Sequence, residues 1–194
     1  MLRSTLVLLA ALAAPALAQS TSTWEIDPAH SSIQFGVRHL MISTVKGTFP
    51  KFTATVVADE KEPTRAVAEA SIDAASIDTR EPKRDEHLRG ADFFDVAKYP
   101  TITFKSTKVE PAGDRRFKVH GDLTMHGVTK PVALDVEVTP QVKGMRGETR
   151  AGARATTKVN RKDFGISWSK SMDGGGVVVG DEVEVTIDVE AVKK

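Results

Sequence analysis

Residues 132–139 read Val132-Ala133-Leu134-Asp135-Val136-Glu137-Val138-Thr139, and residues 182–190 read Glu182-Val183-Glu184-Val185-Thr186-Ile187-Asp188-Val189-Glu190. Apolar and polar residues alternate through both. Successive side chains of a strand point to opposite faces, so each stretch has one apolar and one polar face. This suits antiparallel strands with one face on a core, because parallel strands are usually apolar on both faces. Working outward, the same phase recurs less cleanly at Ile33, Phe35 and Val37; at Ala66, Ala68, Ala70 and Ile72; at Ile102 and Phe104; and at Phe117, Val119, Leu123 and Met125. Residues 49–57 and 150–159 add two weaker runs. About eight antiparallel strands fit a closed barrel with room for one ligand, and a sandwich is the rival architecture. Turn-forming clusters separate the runs at Asp59 to Pro63, Pro111 to Asp114, Gly144 to Gly147 and Asp173 to Gly176.

One segment breaks the period. Pro82-Lys83-Arg84-Asp85-Glu86-His87-Leu88-Arg89 combines good helix formers with a proline at its start and Gly90 past its end, which predicts a short helix. Asp92-Phe93-Phe94-Asp95 follows as an irregular turn. Its adjacent phenylalanines cannot share one face of a strand, and are expected to plug the gap where helix meets barrel.

Composition bounds the function. With 27% charged and 40% hydrophobic residues, the 194-residue chain has the make-up of one globular domain. Lys+Arg number 27 against 26 Asp+Glu, which provides no basic field for nucleic acid. The absence of cysteine excludes a disulfide scaffold, a thiolate nucleophile and a Cys-ligated metal. Residues 1–18 read as a secretory signal peptide: Arg3 is the positive n-region, Leu6 to Ala14 the apolar h-region, and Ala16-Leu17-Ala18 the cleavage site before Gln19. The apolar run is too short to span a bilayer, so no stable membrane insertion is expected. Loss of Arg3 leaves a formally neutral mature domain over residues 19–194, expected in the periplasm or secreted beyond it.

No catalytic constellation emerges. Gly165-Ile166-Ser167-Trp168-Ser169 lacks the final glycine of a nucleophile elbow, and His30-Ser31-Ser32 places neighbours on opposite faces of a strand. Gly174-Gly175-Gly176 is not followed by a phosphate-loop lysine. His30, His39, His87, His120 and His126 lack metal-ligand spacing, so no metal and no cofactor is expected. His39 shares the phase of Ile33, Phe35 and Val37. It is either a satisfied core histidine or a polar contact inside a ligand cavity. Among the basic residues, Arg84, Arg89 and Arg161 adjoin irregular structure and apolar clusters, which makes them head-group candidates.

The opening Trp24-Glu25-Ile26-Asp27-Pro28-Ala29-His30-Ser31, then Phe35-Gly36-Val37-Arg38-His39 and Gly47-Thr48-Phe49, resembles the YceI-like, polyisoprenoid-binding proteins. So do Ser76-Ile77-Asp78-Thr79, Arg84-Asp85-Glu86-His87-Leu88, Tyr99-Pro100-Thr101-Ile102-Thr103-Phe104, Gly121 to Lys130, Asn160-Arg161-Lys162-Asp163-Phe164-Gly165 and Val179-Gly180-Asp181-Glu182-Val183. The resemblance runs from Trp24 to about Val189. It implies an extended, eight-stranded, lipocalin-like antiparallel barrel whose apolar cavity holds an isoprenoid or fatty-acyl chain. It also implies a periplasmic or secreted location, often a homodimer, and no family-wide catalytic residue.

The expected lining is Ile33, Phe35, Val37, His39, Phe49, Phe104, Leu123, Met125, Val132, Leu134, Val136, Phe164 and Ile166, all apolar except His39. The expected function is a non-catalytic carrier of an isoprenoid or other long-chain lipid. Two rivals use the same cavity: an isomerase or hydrolase acting on a lipidic substrate, and a scavenger of lipophilic compounds. Alternation identifies the inward face, and leaves open whether space remains between the inward side chains.

Overall fold

The computed structural model describes residues 21–171 and 177–194. The signal-peptide segment 1–18 and the whole Asp173 to Gly176 turn signal fall on residues 1–20 and 172–176, outside the described residues. The strands are β1 (Thr21–Ile26), β2 (Ser32–His39), β3 (Ser43–Thr48), β4 (Phe52–Asp59), β5 (Val67–Asp73), β6 (Thr101–Gly113), β7 (Arg116–Met125), β8 (Val128–Val138), β9 (Val142–Lys143), β10 (Thr149–Asn160) and β11 (Val179–Lys193). The helix, α1, is Pro82–Arg89, as the sequence predicts.

Eight strands close into a ring of antiparallel pairs, in the order β11, β1, β4, β5, β6, β7, β8, β10 and back to β11. Closure removes the free edges that an open sheet would leave. The fold is thus an all-β, eight-stranded barrel with one short helix. β11 is long enough to serve two neighbours on one edge: β2 pairs with it from Val179 to Asp188, and β1 from Ala191 to Lys193. The chain passes from β1 to β2 through a short turn at Pro28–His30, capped by the Asp27 carboxylate, which accepts from the Ala29 N–H.

β1 and β3 are absent from the expected runs. β1 is short, with Trp24 inward between the small Ser22 and Ile26, which is at the strand's last position. β3 is mostly polar and is held by pairing with β2. Neither composition carries an alternation signal.

Two inward rings lie over a glycine of the neighbouring strand, Phe35 over the directly opposite Gly47 and Phe104 over the diagonal Gly121. A Cβ on Gly47 would come within 2.4 Å of the Phe35 ring, and one on Gly121 within 2.4 Å of the Phe104 ring. Phenylalanine lying over a cross-strand glycine fixes register and lets the ring lean into the barrel.

The ladder between β8 and β10 is short. Backbone pairing covers Asp135 to Val138 against Ala153 to Thr156 and then stops. Past that point the Thr157 hydroxyl donates to Ala133 O (2.8 Å). An outer groove of about 650 Å³ follows the splayed strands, lined by Lys130, Asp135, Lys158, Asp163 and Glu184 together with apolar residues such as Val132, Val159 and Val185.

Candidate functional site

The interior has two unequal halves. At the end of β11, past Val189, Trp24 and Ala191 are buried outside the main apolar cluster, with the indole N–H donating to Ser22 Oγ (2.9 Å). Toward its start, a cavity of about 230 Å³ remains. Strands β2, β4, β5, β6, β7, β8, β10 and β11 all contribute to its wall, and Leu88, Phe93 and Phe94 cover it from the helix side.

Helix α1 is clasped in place. The buried Asp85 carboxylate accepts from the Thr79 N–H (2.9 Å) and hydroxyl. Arg84 donates to Thr79 Oγ1 (2.7 Å) and Thr79 O (2.9 Å), and Arg89 to Ala75 O and Ile77 O, both at 2.7 Å. Charge-assisted bonds therefore do what this polar helix's few apolar residues cannot. Phe93 packs against Trp168 and against His87, which bonds Asp92 (2.8 Å); Phe94 meets Phe49 edge-on at 5.7 Å.

The cavity wall includes Ile33, Phe35, Val37, Phe49, Phe104, Leu123, Met125, Val132, Leu134 and Ile166 from the expected set, and Arg161. The other candidates lie elsewhere. Val136 has the inward phase and pairs with Phe117 and Ala155, but is not on the cavity wall. Phe164, only 2% exposed, sits in the short Arg161–Phe164 turn, packed in the main apolar cluster, and is not on the cavity wall. His39 ends β2 opposite Ser43 and Val179, beyond a register irregularity in β11, and stands at the rim rather than on the wall. Arg84 and Arg89 each commit Nε and Nη2 to the α1 clasp, and neither is on the cavity wall. The sequence reading did not place Phe52, Ala54, Ala70, Ile72, Leu88, Phe93, Phe94, Ile102, Thr157, Val159, Val179, Val183, Val185, Ile187 and Val189 on the wall. Strand alternation had already put Val183, Val185, Ile187 and Val189 on an apolar face, and the Phe93-Phe94 pair was expected to plug the gap where helix meets barrel; nothing in the pattern marked Leu88.

Arg161 is 4% exposed and saturated. Its Nε donates to Gly180 O (2.9 Å), Nη1 to Ile166 O (2.7 Å) and Trp168 O (2.8 Å), and Nη2 to Val179 O (3.4 Å) and Asp181 Oδ1 (3.2 Å). All five guanidinium donors are used. Burial pulls its pKa below the ordinary arginine value, with Asp181 opposing that shift. The residue ties three chain segments together at the cavity floor and keeps no donor for a ligand.

Outside the cavity, Asp27, His30 and Glu190 hold one potential ligand atom each within 4.8 Å of one another. Arg150 Nη1 already donates to Asp27 Oδ2 (3.0 Å) and to Glu190, so a guanidinium stands where a cation would sit. Hydrogen bonds from His30 and then Arg150 pull the Asp27 carboxyl down to about 2, and Arg150 likewise lowers Glu148.

A YceI-like domain model matches residues 24–191. The chain belongs to the YceI-like family. The YceI protein of Escherichia coli is 41% identical over 165 residues, 85% of this chain and 83% of that protein. The crystal structure of Burkholderia cenocepacia BcnA superposes with a TM-score of 0.75 at 26% identity, covering 85% of this chain and 98% of BcnA. A polyisoprenoid-binding domain from Saccharophagus degradans shares the fold, with a TM-score of 0.64 at 15% identity over 88% of this chain and 98% of that domain. In this YceI-like barrel, the Thr79, Arg84, Asp85 and Arg89 motif residues build the clasp, and the Arg161 motif builds the floor.

Proposed function

We propose that this YceI-like barrel is a carrier, exported to the periplasm or beyond, that holds the chain of an isoprenoid or other long-chain lipid without transforming it. One observation carries the reading. The cavity wall is apolar except for Gln34, Thr157 and Arg161, and each of these is engaged elsewhere: Gln34 with Ser32, Thr157 with Ala133 O, Arg161 with its five acceptors. Such a wall offers a hydrocarbon chain dry surface and offers a reacting centre no acid, base or nucleophile. The Saccharophagus degradans domain of the same fold supports an isoprenoid as the chain class.

Burial of one CH₂ contributes ~0.8 kcal/mol, so each five-carbon isoprene unit adds roughly 3–4 kcal/mol. The cavity, about 230 Å³, is smaller than the ~300–1,000 Å³ of ordinary ligand sites. It takes one chain segment as formed, and a longer chain requires the rings of Phe35, Phe94 and Phe104 to turn aside. With no free donor at the wall, recognition rests on the tail. A neutral prenol and a prenyl pyrophosphate of equal length are expected to compete for one site within about tenfold, ~1.4 kcal/mol.

Mass spectrometry of the organic extract from protein purified out of its own envelope tests the reading. A co-purified lipid, depleted in Ala70→Phe, is the expected result. Turnover of added lipid without stoichiometric retention would identify an enzyme and overturn it.

A further inference from the structure

The β2–β3 hairpin ends in an unusual turn. Ile42 N donates to His39 O (3.1 Å), and the two residues between them, Leu40 and Met41, have φ of 49° and 60°. Turns with positive φ at both central positions ordinarily use Asn-Gly or Asp-Gly, because other side chains are strained there. This chain uses Leu-Met, followed by Ile, and presents Met41 54% exposed and Ile42 78% exposed. Folding does not need these side chains there, so their apolar exposure points to a partner.

Charge and position narrow that partner. No Asp or Glu occurs from residue 28 to residue 58, while Arg38, Lys46 and Lys51 do. Arg38 braces the turn through Met41 O (2.7 Å) and Thr44 Oγ1 (3.2 Å) and keeps its charge at the base of the tip. Leu40 N donates to Val178 O (2.9 Å), and Val178 N donates to Lys170 O (3.0 Å), which brings a second exposed cation alongside. The tip also stands immediately beyond Val37 and Val179, at one end of the cavity wall.

We infer that the β2–β3 tip is a membrane-docking wedge: Met41 and Ile42 enter the acyl boundary of an anionic bilayer, Arg38, Lys46 and Lys170 meet its phosphate groups, and the cavity end is set against the lipid surface. An apolar point ringed by cations is the combination that binds such an interface, through buried apolar area plus attraction to anionic lipid. The inference deepens the carrier reading by naming where a chain is exchanged, and its test does not depend on cavity occupancy.

The test is co-sedimentation of the full mature protein with vesicles of phosphatidylglycerol and phosphatidylethanolamine, against vesicles of phosphatidylcholine alone. Wild type is expected to bind the anionic vesicles, and more weakly in high salt. Met41→Asp with Ile42→Asp should lower the bound fraction about tenfold or more, with melting temperature and retained lipid unchanged. Met41→Gly removes both the apolar side chain and the strained conformation, so it should weaken docking while holding or raising the melting temperature. Met145→Asp, at the fully exposed β9–β10 turn, should change nothing. Equal vesicle binding by wild type and the double variant, or no binding by wild type, would overturn the inference. So would a solution dimer that dissociates on Ile42→Asp, because the tip would then be a contact between copies. Tip-dependent docking by protein that retains no lipid would support the wedge and count against the carrier.

Discussion

The two halves of the barrel share one alternating pattern and do opposite things with it. At the end of β11, beyond the last wall residue Val189, the buried side chains are the large Trp24 and the small Ala191, and they stand outside the main apolar cluster. In the half near its start, phenylalanines, leucines and valines project from nearly every strand, yet space remains between them. More apolar bulk per strand goes with the emptier half. The number of strands and the clasped helix set the circumference there, and side chains of fixed size do not reach across it. Inward phase is a property of one strand, whereas hollowness belongs to the ring.

The sharpest way to break this contrast is truncation. Trp24→Ala should create a new void and cost about 3–5 kcal/mol, read by chemical denaturation. Phe104→Ala only enlarges an existing space and should cost less, about 2 kcal/mol. Equal losses would mean that the two halves are packed alike. Overfilling sharpens the same contrast at smaller amplitude. Ala191→Phe, opposite Ile26 at the Trp24 end, should destabilise by about 1–3 kcal/mol. Ala70→Phe, which faces the cavity, should stay within about 1 kcal/mol of wild type while displacing lipid.

The smallest effect concerns the ion cluster around Arg150 at the Trp24 end. The Asp27 carboxyl is depressed to about 2. Its folded-state pKa thus lies below the unfolded value of about 3.9. Its stabilising contribution is therefore complete above pH ~4 and is lost as the pH falls through about 2. Asp27→Asn should flatten the acid limb of the stability profile in that window and leave neutral-pH ligand retention unchanged. A shift of the limb toward higher pH in the variant would contradict this sign.

Much of the barrel was legible because β8 and β11 carry the solvent on one face and the core on the other, and alternation records that directly. Helix α1 was legible through Pro82 and Gly90. β1 and β3 were not, because their pairing partners, rather than their own composition, hold them in the sheet. At the site, the inward phases of β2, β6, β7 and β8 picked out eight residues that line the cavity, and Phe49 and Ile166 line it from irregular segments. Val136 shows the limit, since phase fixes which way a side chain faces and not how far along the barrel the cavity extends. Arg161 shows another: a basic residue beside an apolar cluster reads as a ligand contact until its acceptors, scattered over Ile166, Trp168, Val179, Gly180 and Asp181, are brought around it by the fold.

The unfilled space also sets how the molecule answers to compression. Unfolding removes internal voids, so the volume change on unfolding becomes more negative as the void grows. An empty barrel with about 230 Å³ of interior space should unfold at distinctly lower hydrostatic pressure than the same barrel with a chain threaded into it. At ambient pressure the two could melt within a few degrees of each other. Under a kilobar or more the occupied fraction of a preparation would separate from the vacant one, making pressure a direct gauge of how much of the protein travels loaded.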